Sequence, residues 1–182
     1  MESEEVDSEI HIRSLLETPH FVGHVAQICW AEWRESFISE FDIGSEAELK
    51  ENILLRRADC FIAHDNIGAF LGTVGLHVCD FPSEFAIHPS ILWVDSLIVN
   101  PEFRGQGIGS HLLEHAVHVV QETRPYIKQL MLWTTEDCVD FYVQRGWTLY
   151  RDFPYIFNFD DIRFVLYTRA QAKCKHFHLP NT

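Results

Sequence analysis

The chain has 182 residues, of which 47% are hydrophobic and 23% are charged, a composition typical of one soluble globular domain. Its net charge of −13 is spread along the sequence and repels phosphate groups, which argues against DNA or RNA binding and favours a cationic partner. The five cysteines contain no CxxC pair, which argues against a structural zinc site and indicates reduced thiols.

The ends of the chain and its apolar segments bear on location. Apolar stretches are broken by charges or prolines before the ~20 residues that a membrane-spanning helix needs. The acidic segment 1–7 lacks the basic start and apolar run of a secretory signal. We therefore expect a cytoplasmic protein that binds neither membrane nor nucleic acid. We also expect a disordered lead over residues 1–8, a single domain over 9–169 and a polar tail over 170–182.

The first part of the chain predicts a strand followed by two helices. Alternation over 11–15 indicates the strand, and apolar residues at helical spacing indicate a helix over 21–34. Ser45 is followed three residues later by Glu48, a capping-box pattern that predicts a second helix from 45 to about 57.

The middle of the chain predicts a hairpin and then a central strand. Strands are expected over 59–64 and 69–79, joined by a turn at 66–68. After an exposed loop over 80–90, the near-continuous apolar run 91–99 is typical of a strand buried on both faces.

The last part of the chain alternates helices and strands. Helices are predicted over 107–122 and 137–145, with a strand over 129–133 between them and strands over 147–150 and 163–168 after them. The complete order β-α-α-β-β-β-α-β-α-β-β predicts one α/β domain with a mixed sheet.

The segment after the central strand predicts an anion-binding site. Gly105, Gly107 and Gly109 follow Pro101 and open the third helix, and glycines let a backbone approach a ligand closely. The free N–H groups of a helix start and the positive end of its dipole attract anions, and Arg104 adds a fixed charge. In a chain of net charge −13, this segment is where a phosphate group would bind. The alternative is a tight strand-to-helix turn that holds no ligand.

Two well-known phosphate loops fit this segment poorly. A P-loop needs a lysine directly after its glycines, and none is present here. The dinucleotide pattern G-x-G-x-x-G is nearly met from Gly105, but its third glycine falls one place early and four predicted strands precede it.

The segment resembles motif A of the GNAT acetyltransferase superfamily, whose pattern [RQ]-x-x-G-x-[GA] usually follows V-x-P. The matching residues are Val99, Pro101, Arg104, Gly107 and Gly109. Downstream, residues 140–147 read Asp-Phe-Tyr-Val-Gln-Arg-Gly-Trp and are similar to motif B, in which Phe-Tyr is followed by Gly and an aromatic residue. The resemblance covers roughly residues 10–168 and agrees with the predicted order of strands and helices.

This resemblance implies a fold and a co-substrate. The implied fold is α/β (α+β): a mixed, mostly antiparallel seven-stranded sheet with a V-shaped splay between strands 4 and 5, flanked by about four helices. Acetyl-CoA is the implied co-substrate, with its pantetheine arm in the splay against the backbone of Leu97, Ile98 and Val99. Contacts to its pyrophosphate are implied for Arg104, Gly105, Gln106, Gly107, Ile108, Gly109 and Ser110.

The resemblance also implies two proton-transfer roles. Tyr142 matches the tyrosine that protonates the leaving thiolate in many members, although a core tyrosine with a satisfied hydroxyl is the alternative. An acceptor amine with a pKa near ~10.4 must lose a proton before it attacks. Asp95 matches a position where several members carry an acidic base, and its alternatives are a structural, hydrogen-bonded acid or a solvent-facing residue near the cleft. Glu84 or His88 would otherwise act through water.

One part of motif B departs from the family. Segment 134–139 lacks the asparagine that often contacts the cofactor, which leaves Thr134 and Thr135 as candidates for that contact. On the acceptor side, Trp30 and Trp33 lie in a region that borders the substrate in the superfamily, or they pack in the core. Glu84 belongs to an acidic loop that favours a cationic acceptor.

Two further features have simpler interpretations. His111, His115 and His118 have a spacing that ligates metals, but the sequence predicts that they lie on the solvent side of a helix, so no metal is expected. The aromatic segment 153–159 is a candidate lid over the acceptor or a dimer contact.

We therefore expect an N-acetyltransferase that moves the acetyl group of acetyl-CoA to a primary amine by direct attack in a ternary complex. The acceptor is a cationic small molecule or a peptide α-amine or lysine, with polyamines and aminoglycoside-like amines among the open choices, and the protein is a monomer or homodimer. Two alternatives stay open: a catalytically silent fold that binds acyl-CoA as a sensor, and a nucleotide-dependent oxidoreductase.

Overall fold

The computed structural model of the protein describes residues 9–78, 89–149 and 163–169, with the backbone alone for the last range. Its strands and helices are β1 (His11–Ser14), α1 (Val22–Glu40), α2 (Glu46–Leu55), β2 (Cys60–His64), β3 (Phe70–His77), β4 (Ile91–Val99), α3 (Ile108–Thr123), β5 (Gln129–Thr135), α4 (Glu136–Val143), β6 (Thr148–Leu149) and β7 (Arg163–Arg169).

The strands form one sheet in the order β1-β2-β3-β4-β5-β7-β6. Every neighbouring pair is antiparallel except β4 and β5, which run parallel because α3 forms a crossover between them. The predicted mixed α/β fold with a mostly antiparallel sheet is therefore confirmed, and the described residues contain four α-helices. None of these described helices combines the length and apolarity that crossing a bilayer requires.

Helices cover both faces of the sheet. Phe61 of β2 points into an apolar cluster with α3, whereas its neighbour Ile62 points into a second cluster with α1 and α2. This alternation follows from the two-residue period of a strand. Helix α3 buries one stripe against the first cluster, formed by Ile108, Leu112, Leu113, Ala116, Val117 and Val120. The sheet is thus the middle layer, with α3 on one face and the α1–α2 pair on the other.

Helix α2 begins as the sequence predicts. The Ser45 hydroxyl accepts a hydrogen bond from the Glu48 amide at 3.2 Å, and the Glu48 carboxylate accepts one from the Gly44 amide at 3.0 Å. The helix ends at Leu55 rather than at 57, because Arg56 leaves the helical region and a short 3-10 turn over Arg57–Asp59 leads into β2.

Helix α1 is longer than predicted. The expected end at 34 is wrong, since the helix continues to Glu40 across a kink at Trp33, where φ is −127° and ψ is 20°. The polar residues after the kink concealed the continuation. Its packing reason is visible in the rings of Trp30 and Phe37, which stack with centroids 6.3 Å apart. The aromatic side chains on either side of the kink thereby keep both halves of the helix against the sheet.

Other boundaries differ little from the predictions. Strand β4 has the predicted bounds, and β3 is described to His77. Val78 is described but lies outside the strand, which ends two residues before the expected 79. The parts of the chain outside the described residues are residue 79, most of the loop over 80–90, the lead over 1–8, the aromatic segment 153–159 and the tail over 170–182.

Candidate active site

The loop between β4 and α3 has the backbone of an anion site. After a 3-10 turn over Pro101–Phe103, Gly105 and Gly107 both adopt φ of +82°, a left-handed conformation that favours glycine. Gly107 is also the residue that begins α3, and it has no side chain with which to cap the helix. Because the first N–H groups of a helix have no partner within it, the amides of Ile108 and Gly109 are bare at the start of α3, whereas the Ser110 N–H donates to the Gly107 carbonyl oxygen at 2.9 Å.

Gly109 differs from the two preceding glycines, because its φ is not positive. A Cβ atom at Gly109 would lie 3.4 Å from a Val99 methyl group and 3.5 Å from the Phe141 ring, which are ordinary van der Waals distances. The first turn of α3 therefore packs against the end of β4 and against α4, with room for a small side chain at this position.

Arg104 is held between two neighbours. Its Nε donates to the Val99 carbonyl oxygen at 3.1 Å, and its Nη2 lies 3.6 Å from the Glu32 carboxylate on α1. About half of its side chain is exposed, at 53%. The guanidinium thus lies beside the loop, but part of its charge is opposed by Glu32.

Strands β4 and β5 pair over only a short length. Their parallel ladder joins Ile91, Leu92 and Trp93 to residues 129–131 of β5. On its other side β4 remains paired with β3 as far as Val99. The ladder with β5 therefore ends well before β4 does, and the backbone of Leu97, Ile98 and Val99 lies past its end.

A bulge in β4 determines how its polar side chains are aimed. The register with β3 shifts between Thr73 and Gly75, so that β4 gains one residue, and Ser96 adopts φ of +50°. Gly75 leaves room for the neighbouring carboxylate, since a Cβ atom there would collide with Asp95 Oδ1. The bulge places both Asp95 and Ser96 toward the α1–α2 face.

Asp95 is paired with a cation from α2. Its Oδ2 lies 2.6 Å from Nη2 of Arg56, the residue directly after α2, and the side chains of Asp95 and Arg56 are 24% and 42% exposed. Two buried thiols, Cys29 and Cys60, lie close enough to Asp95 to feel its charge. Burial raises the pKa of Cys29, and burial raises the pKa of Cys60 from 9.0 to about 11. Both thiols are therefore protonated at neutral pH and are poor nucleophiles.

Tyr142 lies in the last turn of α4 and is 9% exposed. Its ring meets Phe141 and Trp147 edge to face, with centroids 5.0 Å and 6.1 Å away. Burial raises the pKa of the Tyr142 hydroxyl, the nearby Cys138 raises it further, and hydrogen bonding with Thr134 opposes the shift. The phenol therefore keeps its proton at neutral pH. Thr134, one of the candidates to replace the missing asparagine, contacts this hydroxyl.

The two candidate proton-transfer groups belong to different faces of the sheet. Tyr142 is part of the apolar cluster on the α3 side, whereas Asp95 points toward Arg56 and the thiols on the α1–α2 side. Trp30 and Trp33 are half-buried and pack against the cluster beneath α1 and α2. Glu84 and His88 lie outside the described residues.

The histidines on α3 are only partly where the sequence placed them. His111 and His118 are exposed, but His115 is half-buried because its ring meets Phe61 edge to face at 5.0 Å. Burial lowers the pKa of His115. Within residues 9–78, 89–149 and 163–169 there is no group of three or more side chains arranged to hold a metal ion.

Sequence reasoning missed two arginines. Arg56 carries no motif signal, since it follows an ordinary surface helix. Arg145 lies within motif B but was not singled out, and its Nε and Nη2 donate to the Ser110 hydroxyl oxygen at 2.9 Å and 2.7 Å. Ser110 is 35 residues earlier in the chain, so only the folded structure brings the pair together.

An open hollow of about 500 Å³ lies apart from these residues. It is lined by Pro19, His20, Val22, Gly23, His24, Gln27, Lys50 and Leu54, where the start of α1 meets α2. None of the predicted site residues contributes to it.

Comparison with known proteins identifies the class of protein that has this fold and this loop. The model of the Acetyltransferase (GNAT) family matches residues 25–147, so the chain belongs to the GNAT acetyltransferase family. Members of this family are acyltransferases. No curated protein sequence matches the chain significantly.

Solved structures with the same fold are only distantly similar in sequence. A GNAT-family acetyltransferase from Staphylococcus aureus Mu50 has a TM-score of 0.61 and 18% identity, covering 90% of this chain and 100% of that one. Mutant forms of the spermidine/spermine N-acetyltransferase of Vibrio cholerae have a TM-score of 0.59 and 17% identity, and the match covers 89% of this chain and 95% of that one. The PaiA N-acetyltransferase of Thermoplasma acidophilum, solved with coenzyme A, has a TM-score of 0.58 and 18% identity, and the match covers 88% of this chain and 99% of that one.

Proposed function

We propose that this protein transfers the acetyl group of acetyl-CoA to a primary amine of a cationic acceptor, by direct attack in a ternary complex. The observation that carries the proposal is the start of α3, where Gly105 and Gly107 are left-handed and the first amides of the helix are bare. Such amides bind phosphate groups, and in a chain of net charge −13 they form a local positive site where a diphosphate can bind.

The co-substrate lies along β4 in this proposal. Its diphosphate is held by Arg104 and the backbone from Gly105 to Ser110, and its pantetheine arm follows Leu97, Ile98 and Val99. The early end of the β4–β5 ladder supports this placement, since an amide-bearing chain can pair with a strand edge that has no neighbouring strand. The two strands would then splay apart around the arm.

Tyr142 completes the chemistry on the leaving group. The acceptor nitrogen attacks the thioester carbon, the C–S bond breaks, and the coenzyme A thiolate takes the proton of the Tyr142 hydroxyl. The phenol enters each cycle protonated, as a general acid must, and the burial that raises the pKa of this hydroxyl also makes it a weaker acid than an exposed tyrosine.

Asp95 is the proposed acceptor of the proton that the amine loses. Its Oδ2 is already paired with Arg56, so a cationic acceptor must share or displace that guanidinium. The same pairing also favours a second candidate function, in which the fold binds acyl-CoA as a sensor and does not turn over. The match to the GNAT family argues against the nucleotide-dependent oxidoreductase.

The acceptor class follows from charge. A molecule with 27 acidic and 14 basic side chains attracts cations, and small polycations gain most from such a field. The fold shared with a spermidine/spermine N-acetyltransferase makes polyamines the first acceptors to test. Peptide amines come next. We propose a cytoplasmic protein, active as a monomer or homodimer, whose single domain spans residues 9–169.

Binding of the co-substrate is tested by thermal unfolding. Acetyl-CoA at 100 times its Kd stabilises a protein by about 2.7 kcal/mol. NAD, which also carries an adenosine and a diphosphate, is the comparison ligand and is expected to have no effect. A protein that acetyl-CoA does not stabilise is not an acetyltransferase of this kind.

Turnover is tested by thiol release with a panel of polyamines, aminoglycosides and peptides. We expect Tyr142→Phe to lower kcat by roughly 100-fold with little change in the affinity for acetyl-CoA, since a general acid typically contributes 10²–10⁴-fold. Acetyl-CoA binding with no thiol release for any amine would favour the sensor. Unchanged turnover in Tyr142→Phe would remove the proposed role of the tyrosine.

A further inference from the structure

Arg145 is fixed by a dense set of contacts at the end of α4. Its Nη1 donates to the Phe141 carbonyl oxygen at 2.6 Å, and its guanidinium carbon lies 3.8 Å from the centre of the Phe141 ring. Its Nε and Nη2 both donate to the Ser110 hydroxyl oxygen. An exposed arginine normally samples many rotamers, whereas these contacts hold the guanidinium in one place.

The double contact orients the Ser110 hydroxyl. A hydroxyl group has two lone pairs and one proton, and both lone pairs are directed at N–H groups of Arg145. The remaining O–H bond must point away from the guanidinium, so Ser110 is arranged to donate. Ser110 lies in the first turn of α3, beside the bare amides.

Arg145 brings a second positive charge to the loop between β4 and α3. Arg104, at the beginning of the loop, shares its guanidinium between the Val99 carbonyl and the Glu32 carboxylate. Arg145 reaches the other end of the same loop through Ser110. The loop therefore has a guanidinium at each end, and among the described residues no carboxylate forms an ion pair with Arg145.

We propose that Arg145 is a positioning residue for the diphosphate of coenzyme A: it aims the Ser110 hydroxyl at a phosphate oxygen and adds the second positive charge of the anion site. This inference rests on the proposed function. Arg145 also donates its backbone N–H to the Tyr142 carbonyl at 2.9 Å, so the same residue ties the phosphate loop to the helical turn that carries the tyrosine.

The test compares three ligands that share the pantetheine arm. Coenzyme A carries the diphosphate and the 3′-phosphate, 3′-dephospho-coenzyme A carries the diphosphate alone, and pantetheine carries neither. We expect Arg145→Gln to weaken coenzyme A and 3′-dephospho-coenzyme A equally, by about tenfold in Kd, the loss of one charge-assisted contact. Pantetheine binding, followed by NMR shifts, is expected to be unchanged.

Three further variants and a control separate positioning from simple folding effects. Ser110→Ala and the Ser110→Ala/Arg145→Gln double variant are expected to lose nearly the same affinity as Arg145→Gln, since the arginine acts largely through the hydroxyl. Arg145→Lys keeps the charge but loses the two-pronged contact, and an intermediate Kd is expected. Lys128→Gln is the matched control, because it removes one exposed positive charge beyond the far end of α3, roughly 24 Å away for 16 residues.

The outcomes are distinct. An Arg145→Gln loss that extends to pantetheine would make the arginine a structural latch, and a loss that vanishes with 3′-dephospho-coenzyme A would assign its charge to the 3′-phosphate; either overturns the inference. The inference is also overturned if Arg145→Gln binds coenzyme A with the same Kd as the control Lys128→Gln. If the wild type binds none of the three ligands, the proposed function fails with it, whereas wild-type binding with an unaffected Arg145→Gln removes this inference alone.

Discussion

At the scale of single residues, the pairing of Asp95 with Arg56 is the feature that most changes the view of the site. A carboxylate in the middle of an apolar strand suggested a catalytic base, and the structure gives the same group a structural partner. The pair joins the end of α2 to the bulge in β4, with Gly75 leaving room for the carboxylate. Its two possible roles differ in their kinetic consequences.

The kinetics of Asp95→Asn and Arg56→Gln, each of which removes one charge of the pair, distinguish these two roles. If Asp95 accepts the proton of the amine, Asp95→Asn lowers kcat by about 100-fold. Arg56→Gln then keeps most of kcat and lowers the KM of a cationic acceptor, because the acceptor no longer competes with the guanidinium. Equal, small losses of activity in both variants, together with equal losses of melting temperature, would contradict the catalytic role.

At the scale of elements, the sequence predicts best where one local signal ends a segment. Strand β4 has its predicted bounds because an apolar run meets Asn100 and Pro101. The continuation of α1 past Trp33 was hidden because polar residues follow the kink, and only packing against the sheet keeps the helix going. The bulge at Ser96 contains no glycine that would reveal it.

The candidate site divides in the same way. The glycine loop could be predicted because a motif of contiguous residues carries its chemistry. The contacts of Arg145 with Ser110 and of Arg56 with Asp95 join residues 35 and 39 positions apart, and no periodicity encodes them. They exist because α4 packs beside the start of α3 and α2 ends over β4, which are properties of the assembled layers.

Replacing Gly107 of the loop by alanine is expected to lower the free energy of unfolding. At Gly107, with φ of +82°, alanine is strained by ~1–2 kcal/mol even though there is space for its side chain. We expect Gly107→Ala to lower the free energy of unfolding by that amount and to weaken acetyl-CoA binding, as measured by urea unfolding and calorimetry. Gly23→Ala is the control. Gly23 lies in the first turn of α1, and a Cβ atom added there would meet no neighbouring atom within 4 Å, so alanine should stabilise the helix by about 0.5–1 kcal/mol. A stable Gly107→Ala would show that the turn relaxes without its left-handed residue.

At the scale of the whole molecule, the charge and the buried titratable groups act on all residues at once. The net charge of −13 makes the whole surface repel the diphosphate that the loop is proposed to hold, so the two arginines at the loop act against the field of the rest of the chain. Salt screens such a field. Buried thiols and a buried phenol link stability to pH in a separate way.

Cys29, Cys60 and Tyr142 all have a pKa raised by burial, which makes the folded state hold protons that the unfolded state releases. The unfolded thiols ionise near 9.0, so above about pH 9 the unfolded state binds fewer protons and the free energy of unfolding falls as pH rises. For Cys60 this fall continues to about pH 11, at a slope of at most ~1.4 kcal/mol per pH unit for one group. Urea unfolding at pH 7 to 10.5 should therefore show a shallower alkaline decline in Cys60→Ala than in the wild type or in Cys138→Ala, which changes an exposed cysteine. Thr73 keeps its hydrogen bond to the Phe61 carbonyl in Cys60→Ala, so the comparison isolates the thiol, and parallel declines in all three proteins would mean that its proton does not contribute.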